Sequence, residues 1–139
     1  MRIVRVVDLS HPLTEATQVY PGDPVPHLSQ HSTIERDGFN VMSVAMGSQS
    51  GTHVDAPYHF DAATPRIDEL PLSLFIGPAQ VLDCGVLAPR ERITNAHVSE
   101  QVESVHAGDM VIFKTGWSAH FGTDAYFNNP FLDASLVES

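Results

Sequence analysis

Between Gly51 and Phe60 the chain reads Gly51-Thr52-His53-Val54-Asp55-Ala56-Pro57-Tyr58-His59-Phe60, which places two imidazoles and a carboxylate within seven positions. An isolated histidine is most often a hydrogen-bonded structural residue, and an isolated aspartate after a strand is commonly a turn or cap. Together, His-x-Asp-x-Pro-x-His offers neutral imidazole and carboxylate, the donors that borderline and hard divalent ions prefer, beside a glycine that permits close backbone approach. In extended backbone His53 and Asp55 point to the same side, while Pro57 breaks regular pairing and lets His59 approach from a loop. The spacing suits one small cation with a separate acid/base group next to it. Thr52 either holds a ligand through its hydroxyl or is an ordinary strand residue.

Several elements must position this run. Ile3 to Leu9 is short and valine-rich, which favours a strand ending at Ser10-His11-Pro12. Pro12, Pro21, Pro24 and Pro26, with Gly22-Asp23 among them, fix an irregular loop up to His27. Phe39 to Met46 reads as a strand at least partly buried on both faces, leading through Gly47-Ser48-Gln49-Ser50 into the decapeptide. Ile67 to Phe75 suggests a short helical segment, broken by Pro71 or starting near it. Ala79 to Leu82 and Met110 to Lys114 are expected strands flanking an amphipathic helix over Asn95 to Val105, capped by Thr94 or Asn95. Strand, helix, strand points to an α/β domain. Near the C-terminus Asp133 is a candidate cap for a helix through Ala134 to Glu138, and the chain stops about one turn later. Such a short helix suggests a polypeptide cut within an element, or one that borrows packing from another chain.

With 139 residues and 42% hydrophobic content, one ordinary core and one domain are expected. Seven Lys and Arg against seventeen acids give a net charge of −10, a field that repels nucleic acid and anionic membranes. No apolar run approaches the roughly 20 residues needed to span a bilayer, and Asp8 interrupts the N-terminal apolar stretch, so a cytoplasmic protein is expected. The single Cys84, in Leu82-Asp83-Cys84-Gly85-Val86, reads as a buried thiol at a strand end. His27 and His31 are four apart but follow Pro24 and Pro26 and read as surface residues. His11 could line a pocket, while His97, His106 and His120 are scattered and read as structural. No Gly-x-Ser-x-Gly elbow is present, which argues against a serine hydrolase.

The decapeptide resembles the signature of the metal-dependent cyclase-type hydrolases, a family that includes bacterial kynurenine formamidase and isatin hydrolase. Asp8-Leu9-Ser10-His11-Pro12-Leu13, Val19-Tyr20-Pro21-Gly22-Asp23, and Gly108-Asp109-Met110-Val111 through Thr115-Gly116-Trp117 resemble the same family in order and spacing. The resemblance implies an α/β fold of the mixed-sheet, swivelling β/β/α cyclase type, incomplete at its C-terminus, with residues 1–139 forming one domain of about two-thirds the family's usual length. It implies that His53 and Asp55 are metal ligands, Asp55 being able to bridge two ions. It also implies that His59 is the catalytic acid/base and that Tyr20 touches substrate. Where the family pattern opens with a ligand histidine, this chain has Gln49, whose amide oxygen is a weaker, uncharged donor. Either a harder ion such as manganese or magnesium then replaces zinc, or the site is weakened. The family also draws a further His and Glu ligand from beyond residue 139.

A divalent ion at such a site makes hydroxide available near neutral pH. His59 would then carry the proton to a leaving nitrogen, and Tyr20, with Phe39 or Trp117 as further candidates, would wall an aromatic ring. The implied activity is hydrolysis of an amide or formamide C–N bond in an aromatic small molecule, by a homo-oligomer. Two alternatives stand beside it: a catalytically inactive binding protein on the same fold, favoured by Gln49, and a cyclase or lactone hydrolase using the same ion.

Overall fold

A computed structural model describes residues 4–137. Its contacts divide the chain into two compact units, Met1–Ile67 and Asp68–Ser139, where one domain is the sequence expectation. Strands pair in both senses, one antiparallel ribbon in the first unit and two parallel pairs in the second, so the architecture is mixed α/β.

In the first unit β1 (His27–Ser32) pairs antiparallel with β2 (Val41–Ala45), His27 opposite Ala45 and Gln30 opposite Met42, with an irregularity between Gln30 and Ser32. The connection holds the single-turn helix α1 (Ile34–Asp37). Thr33 caps it by accepting from the Arg36 N–H at 3.2 Å, and Gly38 ends it at φ 81°, a left-handed position that suits glycine. The expected strand at Phe39–Met46 is thus found, trimmed at both ends. Its burial differs, since every residue of β2 is exposed, and on β1 only Leu28 and Ser32 are partly or fully covered. The expected strand at Ile3–Leu9 is not formed over the described residues 4–9, and Ile3 itself lies outside them. Val4 is 91% and Val6 84% exposed, because β-propensity without a partner ladder leaves the backbone unpaired and the valines in water.

The second unit carries the larger apolar core. β3 (Ala79–Asp83) runs parallel to β5 (Met110–Lys114) with Ala79 opposite Met110 and Asp83 opposite Lys114. Between them, α2 (Asn95–Val102) starts after Thr94, whose N–H donates to His97 Nδ1 at 3.1 Å while its carbonyl accepts the His97 N–H. α2 stops three residues short of the expected Val105 because the Ser104 hydroxyl and N–H both turn back to the Gln101 carbonyl. Gln101 also clamps the helix to the sheet, accepting from Asp83 N–H at 2.8 Å and donating to Asp83 C=O at 3.0 Å. Leu82, Cys84, Leu87, Ile93 and Val98 form the buried cluster, with Val105, Phe113 and Leu136 packed against it. Burial pushes the Cys84 thiol above its ordinary range, with the Asp83 charge adding to the effect, as fits an inert core thiol.

The parallel pair β4 (Arg92–Ile93) and β6 (Phe131–Leu132) was not anticipated. Ile67–Phe75 forms two 3-10 turns, Ile67–Glu69 and Leu72–Leu74, separated at Pro71. Trp117 is buried and donates its indole N–H to the Tyr126 carbonyl at 3.2 Å, a packing role. Helix α3 (Ala134–Val137) follows Asp133, whose carboxylate accepts from Ser135 N–H at 3.1 Å and Ser135 Oγ at 2.6 Å. Among the described residues no helix is long and apolar enough to cross a membrane.

Candidate metal and hydrolytic site

The decapeptide lies in the first unit and begins with a left-handed residue, Gly51 at φ 65°. This lets the chain turn out of the Gly47–Ser50 turn without the backbone strain that a positive φ imposes on a residue with a Cβ. Thr52 lies outside any strand, and its hydroxyl accepts from the His11 N–H at 3.1 Å. That bond ties Asp8-Leu9-Ser10-His11 to the site run, and Asp8 itself is fixed by accepting from Ser10 N–H at 2.9 Å. The sequence shows both motifs but not the bond between them, which spans 41 residues.

His53 and Asp55 converge as the alternation of an extended chain requires, with Nε2 of His53 3.4 Å from Oδ1 of Asp55. The opposite ring nitrogen, Nδ1, lies 2.8 Å from the Gly51 carbonyl. A carbonyl only accepts, so Nδ1 carries the proton and, in the neutral ring, Nε2 presents its lone pair to the carboxylate. Two electron-rich atoms facing each other call for a cation between them, either a proton on Nε2 or a metal ion. Donors each about 2.1 Å from a tetrahedral zinc stand roughly 3.4 Å apart. The observed separation matches, and the carbonyl behind Nδ1 is the usual orienting partner of a metal-binding imidazole.

Gln49 joins the same cluster. Its amide nitrogen donates to Asp55 Oδ1 at 2.8 Å, and its amide oxygen accepts from the Ser48 hydroxyl. In this arrangement Gln49 orients the carboxylate and turns its own oxygen away from it. Among the described residues no group of three or more His, Cys, Asp or Glu side chains could hold a metal ion. Ser50, beside Gly51, is 4% exposed, and its hydroxyl has no hydrogen-bond partner among the described residues.

His59 ends a 3-10 turn, Pro57–His59, opened by proline in its favoured first position. Its ring stands edge-on to Phe60, with centroids 4.4 Å apart. Tyr20 opens the turn closed by Asp23 N–H to Tyr20 C=O at 3.0 Å and is 69% exposed. The structure therefore joins Gln49, Asp55 and His53 directly, and places His59 on the adjoining turn and Tyr20 on the proline-rich loop. His27, expected at the surface, is exposed and pairs with Glu15 at 3.0 Å.

Comparison with known proteins places this site in context. The family model Cyclase (Putative cyclase) matches residues 7–139. Kynurenine formamidase of Salinibacter ruber is 35% identical over 112 residues, 79% of this chain and 51% of that protein. Kynurenine formamidase of Geobacillus thermodenitrificans is 39% identical over 77 residues, 55% of this chain and 37% of that protein. The chain thus spans about half or less of the length of these curated relatives. In solved structures, isatin hydrolase A from Labrenzia aggregata bound to benzyl benzoate superposes with a TM-score of 0.79 at 22% identity, covering 96% of this chain and 62% of that one. Isatin hydrolase A from Ralstonia solanacearum gives 0.77 at 24% identity, covering 96% and 61%. At such identities the likeness is one of fold, and it agrees with the mixed α/β cyclase architecture expected from the sequence, here in part of its length. With the family model covering nearly every residue, the chain belongs to the cyclase family.

Proposed function

We propose that this chain carries part of the active site of a metal-dependent hydrolase that cleaves an amide or formamide C–N bond in an aromatic small molecule. The observation that carries the reading is the convergence of His53 Nε2 and Asp55 Oδ1 at 3.4 Å, with Nδ1 committed to a carbonyl. The relatives named kynurenine formamidase support the choice of an aryl formamide over other amides. A divalent ion, zinc or manganese with magnesium as a further candidate, would supply Lewis acidity and a readily deprotonated water. His53 would hold it through Nε2, and Asp55 through a carboxylate oxygen whose direction the Gln49 amide fixes. His59 would accept a proton on its free ring nitrogen and return it to the departing amine. Tyr20 would lie against the aromatic ring of the substrate.

The experiment is hydrolysis of an N-formyl aryl amine by protein loaded in turn with zinc, manganese and magnesium, alongside elemental analysis. Metal-dependent release of formate, abolished in His53→Ala, is expected. A loaded protein inert toward formamides, cyclic amides and lactones would end the hydrolase reading. It would favour instead a binding protein on the same fold, a reading supported by Gln49 standing where a ligand histidine is expected. Activity on lactones alone would favour the cyclase or lactone hydrolase alternative.

A further inference from the structure

The turn bearing His59 has no side-chain cap of its own, since Ala56 precedes it and Pro57 opens it without an N–H. Its fixation comes instead from a segment that loops back. Asp61 starts the reversal: its carbonyl accepts the Thr64 N–H at 3.1 Å and the Thr64 hydroxyl at 2.7 Å, and its carboxylate accepts the Ala63 N–H at 2.9 Å. The returning chain then meets the turn at Tyr58, whose N–H donates to the Pro65 carbonyl at 3.2 Å. Next to it, the Arg66 guanidinium lies over the Tyr58 ring, 4.6 Å from its centroid, and donates to the phenolic oxygen at 3.3 Å. Backbone, ring face and hydroxyl of one residue are all held by Pro65 and Arg66, and that residue is the immediate neighbour of His59.

We propose that Arg66 is a positioning residue for His59, acting through the Tyr58 ring. The planar guanidinium suits this role because it combines stacking with a directed N–H, which a lysine ammonium cannot reproduce. This inference rests on the assignment of His59 as the proton carrier, and the test separates the two.

The test compares Arg66→Ala, Arg66→Lys, Tyr58→Leu and Tyr58→Phe in the full chain, with two readouts. The first, independent of activity, is the His59 imidazole C–H resonance, which the edge-on Phe60 ring shifts away from its value in an unfolded chain. In Arg66→Ala and Tyr58→Leu this resonance is expected to move toward the unfolded value, while Tyr58→Phe, which keeps the ring face, retains it. The second is turnover. Arg66→Ala should lower kcat about five-fold with KM unchanged, Arg66→Lys should recover only part of the loss, and adding Tyr58→Leu should lower kcat no further. In a His59→Ala background the Arg66 substitution should have no effect on kcat. An unmoved His59 resonance in both Arg66→Ala and Arg66→Lys would overturn the proposal, as would additive losses in the Arg66/Tyr58 double variant. Should His59→Ala itself leave turnover intact while the resonance responds as expected, the acid/base assignment fails and the positioning contact stands.

Discussion

A single carbonyl, that of Gly51, decides which nitrogen of His53 faces Asp55, and with it the chemistry open to the pair. Removing either donor should therefore abolish the binding of one divalent ion per chain, as measured by elemental analysis after dialysis of His53→Ala and Asp55→Asn. At the neighbouring position the amide of Gln49 is a poor zinc donor occupied with Ser48 and Asp55. Gln49→His should tighten zinc by about 10- to 100-fold in a chelator competition, because an imidazole replaces an amide beside the same carboxylate. In the proposed function His59 acts on the proton and not on the metal. His59→Ala should lower turnover by roughly 10² to 10⁴ with metal content unchanged. At this scale much could be read from the sequence: the alternation that brings His53 to Asp55 is visible in their spacing. What spacing could not reveal is the long-range contact from His11 to Thr52, or that Gln49 addresses Asp55 through its nitrogen, since both depend on how distant or flexible groups meet.

Elements succeed where local pattern and tertiary partner agree. β5 occupies the expected Met110–Lys114 because its β-branched and aromatic residues have β3 beside them, and α2 begins behind Thr94 as its capping pattern indicates. The valines at positions 4, 6 and 7 have the same local preference and form no strand, since no ladder accompanies them. β4 and β6 escaped notice for the opposite reason. Two residues carry no readable period, and their pairing is set by Phe131 N–H to Glu91 C=O and Asp133 N–H to Ile93 C=O. Ile93, 2% exposed and paired with Leu132, is among the most buried side chains of the second unit. Ile93→Ala should cost about 2–5 kcal/mol in urea unfolding. Gln101→Ala, which frees both backbone groups of Asp83 from the α2 clamp, should cost about 1–2 kcal/mol.

For the whole molecule, several carboxyls held below their ordinary range link stability to acid. The Lys114 ammonium beside Asp83, helped by the Gly85 N–H, holds that carboxyl below its ordinary value of 3.8. The Arg36 guanidinium does the same for Asp37, the Ser135 hydroxyl and N–H for Asp133, the Ser10 N–H for Asp8, and the Ala88 N–H followed by His97 for Glu91. The unfolded chain then binds more protons than the folded one, so this stability is present above the unfolded values and lost as pH falls through the folded ones. Thermal midpoints should decline below about pH 4, and Asp83→Asn should flatten that decline. Lys114 has the opposite sign: Asp83 raises it above 10.5, so its contribution holds below that value and disappears at more alkaline pH. The α/β class was legible from the strand, helix, strand order, and the cyclase architecture from the decapeptide and the ordered segments around it. How contacts partition into two compact units is a separate matter, since hydrophobic content reports only how much core a chain can fill.

If His53 and Asp55 share a cation, zinc titration followed by imidazole nitrogen NMR will read it at the ring itself. Nε2 of His53 is expected to shift on saturation while Nδ1 stays protonated against the Gly51 carbonyl, and Asp55→Asn is expected to remove the response. Zinc that binds with Nε2 of His53 unchanged, or that binds equally well to Asp55→Asn, would contradict a shared cation.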